Sequence, residues 1–190
     1  MPDDFKVRLF DESCLPLVES LNCGSNEFGE AANAWIRCID NYDNALTSIR
    51  DRDTQVFLYF VPEQSPVVDS GLYEDDLCGF GSLGLTTRTI RGERIPFSCI
   101  PHLGLDYRYH GRPHGVPFED RYSSRLLGDL ISRAQDLPPE ELLLFVDVNN
   151  VRARKLYDAF GFEPLGKANT QGLQPMVLQL PRSAGGPATA

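Results

Sequence analysis

Two short stretches of this 190-residue chain hold side chains whose types and spacing could do chemistry. In the first, Arg108-Tyr109-His110-Gly111-Arg112-Pro113-His114-Gly115, the glycines permit close backbone approach, and Arg108 and Arg112 offer positive charge. His110 and His114 would add to that charge if protonated. Such a turn can aim backbone N–H groups at an anion, though it lacks the Lys-Ser/Thr ending of a P-loop, which argues against an NTPase. In the second stretch, Ala153, Leu156, Tyr157 and Phe160 fall at i, i+3, i+4 and i+7. A tyrosine on such a stripe has its ring buried and its hydroxyl seeking a partner. The spacing by itself favours a ring that only packs over a hydroxyl that delivers a proton.

These residues need elements to hold them. Asn149 or Asn150 can cap a helix that Gly161 ends in the left-handed conformation. Leu142–Val148 before it reads as a strand, and periodicity from Phe118 to Gln135 reads as a helix stopped by Pro138-Pro139. Upstream, Phe5–Phe10, Gln55–Val61, Leu77–Ile90 and Ser98–Tyr107 read as strands, the last interrupted by Pro101. Leu77–Ile90 can form a hairpin with the strand before it. Helical stretches fall around Leu15–Leu21 and Glu27–Ile39, with Trp35, Ile36 and Ile39 as core candidates. Glu63–Asp76 reads as an acidic loop, and Gln174–Leu180 as the final strand. The order predicts a mixed α+β fold in one domain over residues 1–182, with residues 183–190 a disordered tail.

Composition is that of an ordinary globular protein, 42% hydrophobic and 24% charged. A net charge of -9 and a pI near 4.8 argue against generic affinity for nucleic acid or anionic membrane. They lean toward a cationic partner. The five cysteines are scattered, with no CxxC pair, which predicts free thiols in a reducing compartment and neither zinc nor a disulfide framework. The N-terminus has no apolar signal core and no run approaches membrane-spanning length, so the expected location is the cytoplasm.

Taken together, the two stretches resemble the GCN5-related N-acetyltransferase superfamily. That family carries a turn of the form Q/R-x-x-G-x-G/A, where this chain has Arg108-x-x-Gly111-x-Pro113. It also carries N-x-x-A-x-x-L-Y-x-x-x-G-F, and every named position from Asn150 to Phe162 matches. The resemblance covers about Cys78–Leu180.

It implies a central, mostly antiparallel sheet of six to seven strands flanked by about four helices, and an acetyl-CoA cosubstrate with no metal. Leu103, Gly104 and Leu105 would bond the pantetheine arm through their backbone. Arg108, Tyr109, His110, Gly111, Arg112, Pro113, His114 and Gly115 would hold the pyrophosphate. Asn150 would bond the pantetheine or adjacent backbone, and Tyr157 would protonate the departing CoA thiolate. The implied activity is transfer of an acetyl group to a primary amine of a small molecule or protein.

This chain departs from the pattern in two places. Pro113 deletes one N–H from the cradle, and Val116-Pro117-Phe118-Glu119-Asp120 lengthens the path into the helix and sets two acids near the proposed pyrophosphate. The family's usual glutamate before the turn is missing from Phe97–Ile100, which leaves His102 as the candidate general base, with Asp106 and Glu93 behind it. Tyr59, Phe80 and Tyr73 are aromatic candidates for an acceptor pocket, although the first two read better as core residues. A short resemblance of Asn22–Phe28 and Gly79–Leu83 to acetyltransferase toxins acting on aminoacyl-tRNA is opposed by the net charge. An acyl-CoA-binding sensor without catalysis is the alternative of a different class, and a homodimer stays open.

Overall fold

The computed structural model describes residues 5–37, 54–61, 76–90, 92–111 and 115–181. Among these residues, eight strands form one sheet: β1 (Lys6–Leu9), β2 (Gln55–Phe60), β3 (Leu77–Ile90), β4 (Glu93–Ile100), β5 (Leu103–Leu105), β6 (Glu141–Asp147), β7 (Glu163–Pro164) and β8 (Leu173–Gln179). Their order is β1-β2-β3-β4-β6-β8-β7, with β5 also on β3. Every pairing is antiparallel except β4 with β6. The strand count exceeds the expected six to seven because Pro101 divides the Ser98–Tyr107 stretch into the end of β4 and β5, and because β7 pairs for only two residues.

Helices α1 (Leu15–Glu19) and α2 (Glu27–Arg37) cover one face of the sheet, and α3 (Tyr122–Ala134) and α4 (Val151–Ala159) the other. The period-2 alternation of a strand divides β2 between two cores. Val56, Leu58 and Phe60 join Leu21 and Phe80 on one side; Phe57 and Tyr59 join Leu126, Leu130 and Tyr157 on the other. Tyr59 and Phe80 are thus core residues, the reading their sequence favours. Tyr73, Ile39, Cys38 and the 183–190 tail lie outside the described residues, as does most of the acidic loop. Among the described residues, Cys14 and Cys78 are buried free thiols, and Cys23 and Cys99 form no disulfide. Among the described residues, no helix is long and apolar enough to cross a membrane.

Two features of the sheet decide where a site can form. Alanine at Gly79 would set a Cβ 2.7 Å from the Gly104 carbonyl oxygen, and at Gly81 a Cβ 2.5 Å from Leu130 Cδ1. Glycine at these positions lets β5 and α3 lie directly against the strand. The second feature is the end of the β4–β6 pairing. It runs only through Ser98–Ile100 and Leu142–Leu144, so β5 and the C-terminal half of β6 diverge.

Candidate functional site

The divergence opens a cavity of about 830 Å³. Its walls are Leu103, Gly104 and Leu105 of β5, the first turns of α3 and α4, Tyr157, and the α2 side at Cys23, Asn26, Phe28 and Gly29. Backbone alternation fixes what β5 presents. The Ser82 N–H donates to the His102 carbonyl at 2.9 Å, and the Asp106 N–H donates to the Cys78 carbonyl at 2.7 Å. The polar groups of His102, Gly104 and Asp106 therefore face β3, and those of Leu103 and Leu105 face the opening. His110 Nε2 lies 2.9 Å from the Leu105 carbonyl, so that nitrogen carries the hydrogen. Burial first and the Arg152 charge second lower the His110 pKa, leaving the ring neutral near pH 7.

The start of α4 forms as its sequence predicts. Asn150 is the N-cap, and its Oδ1 accepts from the Ala153 N–H at 3.1 Å. Gly161 closes the helix at φ 85°, with the Phe162 N–H returning to the Tyr157 carbonyl at 3.1 Å. Asn150 borders the cavity while its oxygen is spent on its own helix. Tyr157 is 8% exposed and its ring meets Phe162 edge-on at 5.8 Å. Its hydroxyl has no hydrogen-bond partner among the described residues, and burial pushes its pKa up to about 12. It borders the cavity as a protonated donor.

The glycine turn behaves differently from its expected role. The Arg108 side chain does not reach the cavity, because Asp106 and Asp76 hold its guanidinium at 2.9 and 3.2 Å. Tyr109 is fully buried, with its ring against Tyr122 at 5.5 Å, so it is a packing residue. The amides of Arg108, Tyr109 and His110 donate to Asp106 Oδ1, the Asp106 carbonyl and the Tyr107 carbonyl. These three N–H groups are consumed by the turn itself, which corrects the broad cradle expected of Arg108–His110. Gly111 is left-handed at φ 71° and borders the cavity; Gly115, at φ 75°, does not. Arg112, Pro113 and His114 lie outside the described residues.

Other groups, which sequence reading passed over, face the same opening. No side chain caps α3, and its first residues Arg121 and Ser123 border the cavity. An uncapped helix start offers unpaired N–H groups and the positive end of the dipole to an anion. Arg152 and Lys155, one turn apart on α4, border it too. Their three-residue spacing beside the Asn150 cap was the available signal. Glu119 and Asp120 are not part of the cavity wall, although they stand between Phe118 and Arg121, which are.

His102 sits at the kink between β4 and β5, where its N–H donates to Ser82 Oγ at 3.0 Å. Burial lowers its imidazole pKa to about 4, and it is not part of the cavity wall. Asp106 is fully buried and bound to Arg108 and the Asn22 N–H. Glu93 lies at the far tip of the β3–β4 hairpin. The structure thus does not bring the three base candidates together with Tyr157.

No family model and no curated protein sequence matches this chain. Solved structures do. A tyrosine-to-phenylalanine variant of the toxin AtaT, bound to the C-terminus of the antitoxin AtaR and acetyl-CoA, is 14% identical with a TM-score of 0.58 over 93% of this chain and 94% of that one. AtaT has also been captured with acetyl-methionyl-tRNAfMet. The NatC complex bound to Gag peptide and CoA gives 16% identity and a TM-score of 0.50, covering 95% of this chain and all of that one. A Klebsiella pneumoniae protein assigned as an acyl-CoA N-acyltransferase gives 14% and 0.56, over 93% and 97%. Such low identity over nearly whole chains speaks to architecture, and this chain has the acyl-CoA N-acyltransferase fold of the GCN5-related N-acetyltransferases.

Proposed function

We propose that the protein transfers the acetyl group of acetyl-CoA to a primary amine in a direct ternary complex. The observation that carries this reading is the single cavity joining the outward edge of β5, the uncapped start of α3 and the unpartnered hydroxyl of Tyr157. The Leu103 and Leu105 backbone offers the amide-like pantetheine arm the strand pairing that β6 withholds. Gly111, the α3 amides, Arg121 and Arg152 offer the pyrophosphate a positive seat. Solved structures of the same fold hold acetyl-CoA or CoA.

In the reaction, the neutral amine nitrogen attacks the thioester carbonyl and forms the C–N bond. Collapse of the tetrahedral intermediate breaks the C–S bond, and the electron pair leaves on sulfur. Tyr157 gives its hydroxyl hydrogen to that thiolate, and the proton lost by the amine passes to solvent. A tyrosine at about 12 is a weak acid for a thiolate of ordinary basicity near 8.5. A thiolate buried beside the Tyr157 hydroxyl rises in basicity for the same reason, which narrows the gap. The apolar lining around Tyr157 is therefore part of the chemistry.

The acceptor is an amine of unassigned class. The cations on the wall do not favour a cationic acceptor in this cavity, against the lean of the overall charge. The deciding experiment offers acetyl-CoA with a panel of polyamines, amino-acid amides, peptides and aminoacyl-tRNA, read by release of the CoA thiol. Tyr157→Phe should lower kcat by about 10²-fold or more while acetyl-CoA affinity stays within about twofold. Equal turnover by the variant would remove Tyr157 from the mechanism. A catalytically silent acyl-CoA sensor is the second reading, favoured by the three turn amides that the chain spends on itself. Tight acetyl-CoA binding with no thiol release from any acceptor would select it.

A further inference from the structure

The backbone N–H and carbonyl of Leu105 face the opening, and the carbonyl is already engaged. His110 Nε2 donates to it at 2.9 Å, so the imidazole lies across the outward edge of β5. The chain reaches that position through a closed turn. Asp106 caps the turn, accepting from the Arg108 N–H at 2.9 Å, and the His110 N–H returns to the Tyr107 carbonyl at 3.1 Å. Tyr109 anchors it in the core, its ring 5.5 Å from that of Tyr122. The backbone leading to His110 is therefore fixed, while the ring itself stands half-buried on the cavity wall. Its side-chain torsions and that one hydrogen bond hold it over the strand. A neutral imidazole with its hydrogen on Nε2 has a single N–H to give, and here it gives it to the strand it has just left.

We propose that His110 is a latch on the donor groove: before the donor binds, its ring occupies the Leu105 carbonyl, and the pantetheine arm has to turn the ring out in order to pair with β5. The inference rests on acetyl-CoA being the donor. An arm that pairs with β5 in the manner of a strand lies about 4.8 Å from it. A ring whose nitrogen is 2.9 Å from an outward carbonyl stands on that line, so ring and arm exclude one another. The exchange is nearly even in hydrogen bonds. The ring satisfies a carbonyl that the divergence of β5 from β6 leaves without a strand partner, and the arm supplies that partner when it enters. What the latch changes is affinity, which falls by the fraction of molecules whose ring is turned out. His110 thus sets how readily the groove opens, and it does so without touching the reacting atoms.

Calorimetry with acetyl-CoA on the wild-type protein, His110→Ala and His110→Gln tests this. Alanine removes the latch and should bind acetyl-CoA about 3- to 10-fold more tightly, as follows if about a third to a tenth of wild-type molecules hold the ring outward. Glutamine places an amide N–H near the position of the imidazole Nε2 and should bring affinity back toward the wild-type value. The wild-type protein gives an independent reading by nuclear magnetic resonance. Overhauser contacts between the His110 ring protons and Leu105 should vanish on saturation with acetyl-CoA. Their persistence at saturation would overturn the latch, whether or not His110→Ala folds. Equal affinity of His110→Ala and the wild-type protein would overturn it too. Weaker binding by His110→Ala would make the ring a contact for the donor rather than an obstacle to it, and would also overturn the proposal while leaving the acetyltransferase reading standing. Failure of the wild-type protein to bind acetyl-CoA at all would overturn both.

Discussion

The hydroxyl of Tyr157 and the imidazole of His102 are both buried, and burial pushes them in opposite directions because it disfavours whichever form is charged. Tyr157 rises to about 12, so it stays protonated across the working range. The pH profile of kcat/KM should climb as the acceptor amine loses its proton and then stay flat through pH 10. A falling limb between pH 8 and 10 would mean that an acid of ordinary pKa, not Tyr157, serves the leaving group. His102 falls to about 4 from the usual 6.5, so the unfolded chain takes up its proton first as pH drops. That sign makes the stability from a neutral His102 fully present above about pH 6.5 and lost progressively toward pH 4. Roughly 2 kcal/mol should be gone by pH 5. Urea unfolding at pH 7 and pH 5 should show this loss in the wild-type protein and a much smaller one in His102→Gln. At this scale the sequence revealed residue types but not their surroundings. Nothing in the order Arg108-Tyr109 discloses that Asp106 and Asp76 capture the arginine, or that the tyrosine ring turns inward onto Tyr122.

The elements that frame the cavity were legible wherever a local rule controls them. The Asn150 cap and the Gly161 stop specify α4 through their own side chain and φ, and both occur as read. Removing the cap with Asn150→Ala should cost about 1 kcal/mol of stability and loosen the helix that carries Tyr157. What the sequence could not disclose is long-range. The two-residue β7 and the divergence of β5 from β6 depend on which strands meet, and pairing partners far apart in the chain leave no periodic mark. The glycines of β3 carry that information in another form. Gly79→Ala would press its Cβ on the Gly104 carbonyl, a backbone atom that cannot move without shifting β5, whereas Gly81→Ala meets only the flexible end of Leu130. Gly79→Ala should therefore cost about 1–3 kcal/mol and weaken acetyl-CoA binding. Gly81→Ala should cost less and leave binding near the wild-type level. Thermal melts paired with calorimetry distinguish the two, and equal effects would mean that the β3–β5 contact does not set the cavity.

At the scale of the whole molecule, the sheet separates two cores, and Asp106 joins structure across it. Its carboxylate accepts from the Asn22 N–H at 3.0 Å, in the loop between α1 and α2, and from Arg108 on the turn that leads to Tyr109 in the opposite core. The Tyr107 N–H returns to the Asn22 carbonyl at 2.7 Å, so the contact is a clamp of two strands of hydrogen bonds. Asn33 extends it into α2, accepting from the Cys23 N–H at 2.7 Å and donating to the Gly24 carbonyl at 3.2 Å. The α2 wall of the cavity is thereby held to the end of β5 by polar bonds, whereas α3 rests on the sheet through Leu126 and Leu130. Asp106→Ala removes the centre of this clamp and leaves Arg108 with Asp76 alone, a loss of about 2–4 kcal/mol for a buried charge-assisted network. The loss should be uneven, because the hydrophobic seat of α3 survives it. Amide hydrogen exchange read separately on α2 and on β3 distinguishes that side of the molecule from the sheet. In the wild-type protein, both sets of amides should open in one transition in urea. In Asp106→Ala the α2 transition should come at lower urea than the β3 transition, since α2 detaches before the sheet melts. Coincident transitions in the variant would show that apolar contacts, not the Asp106 clamp, hold the cavity's two sides together.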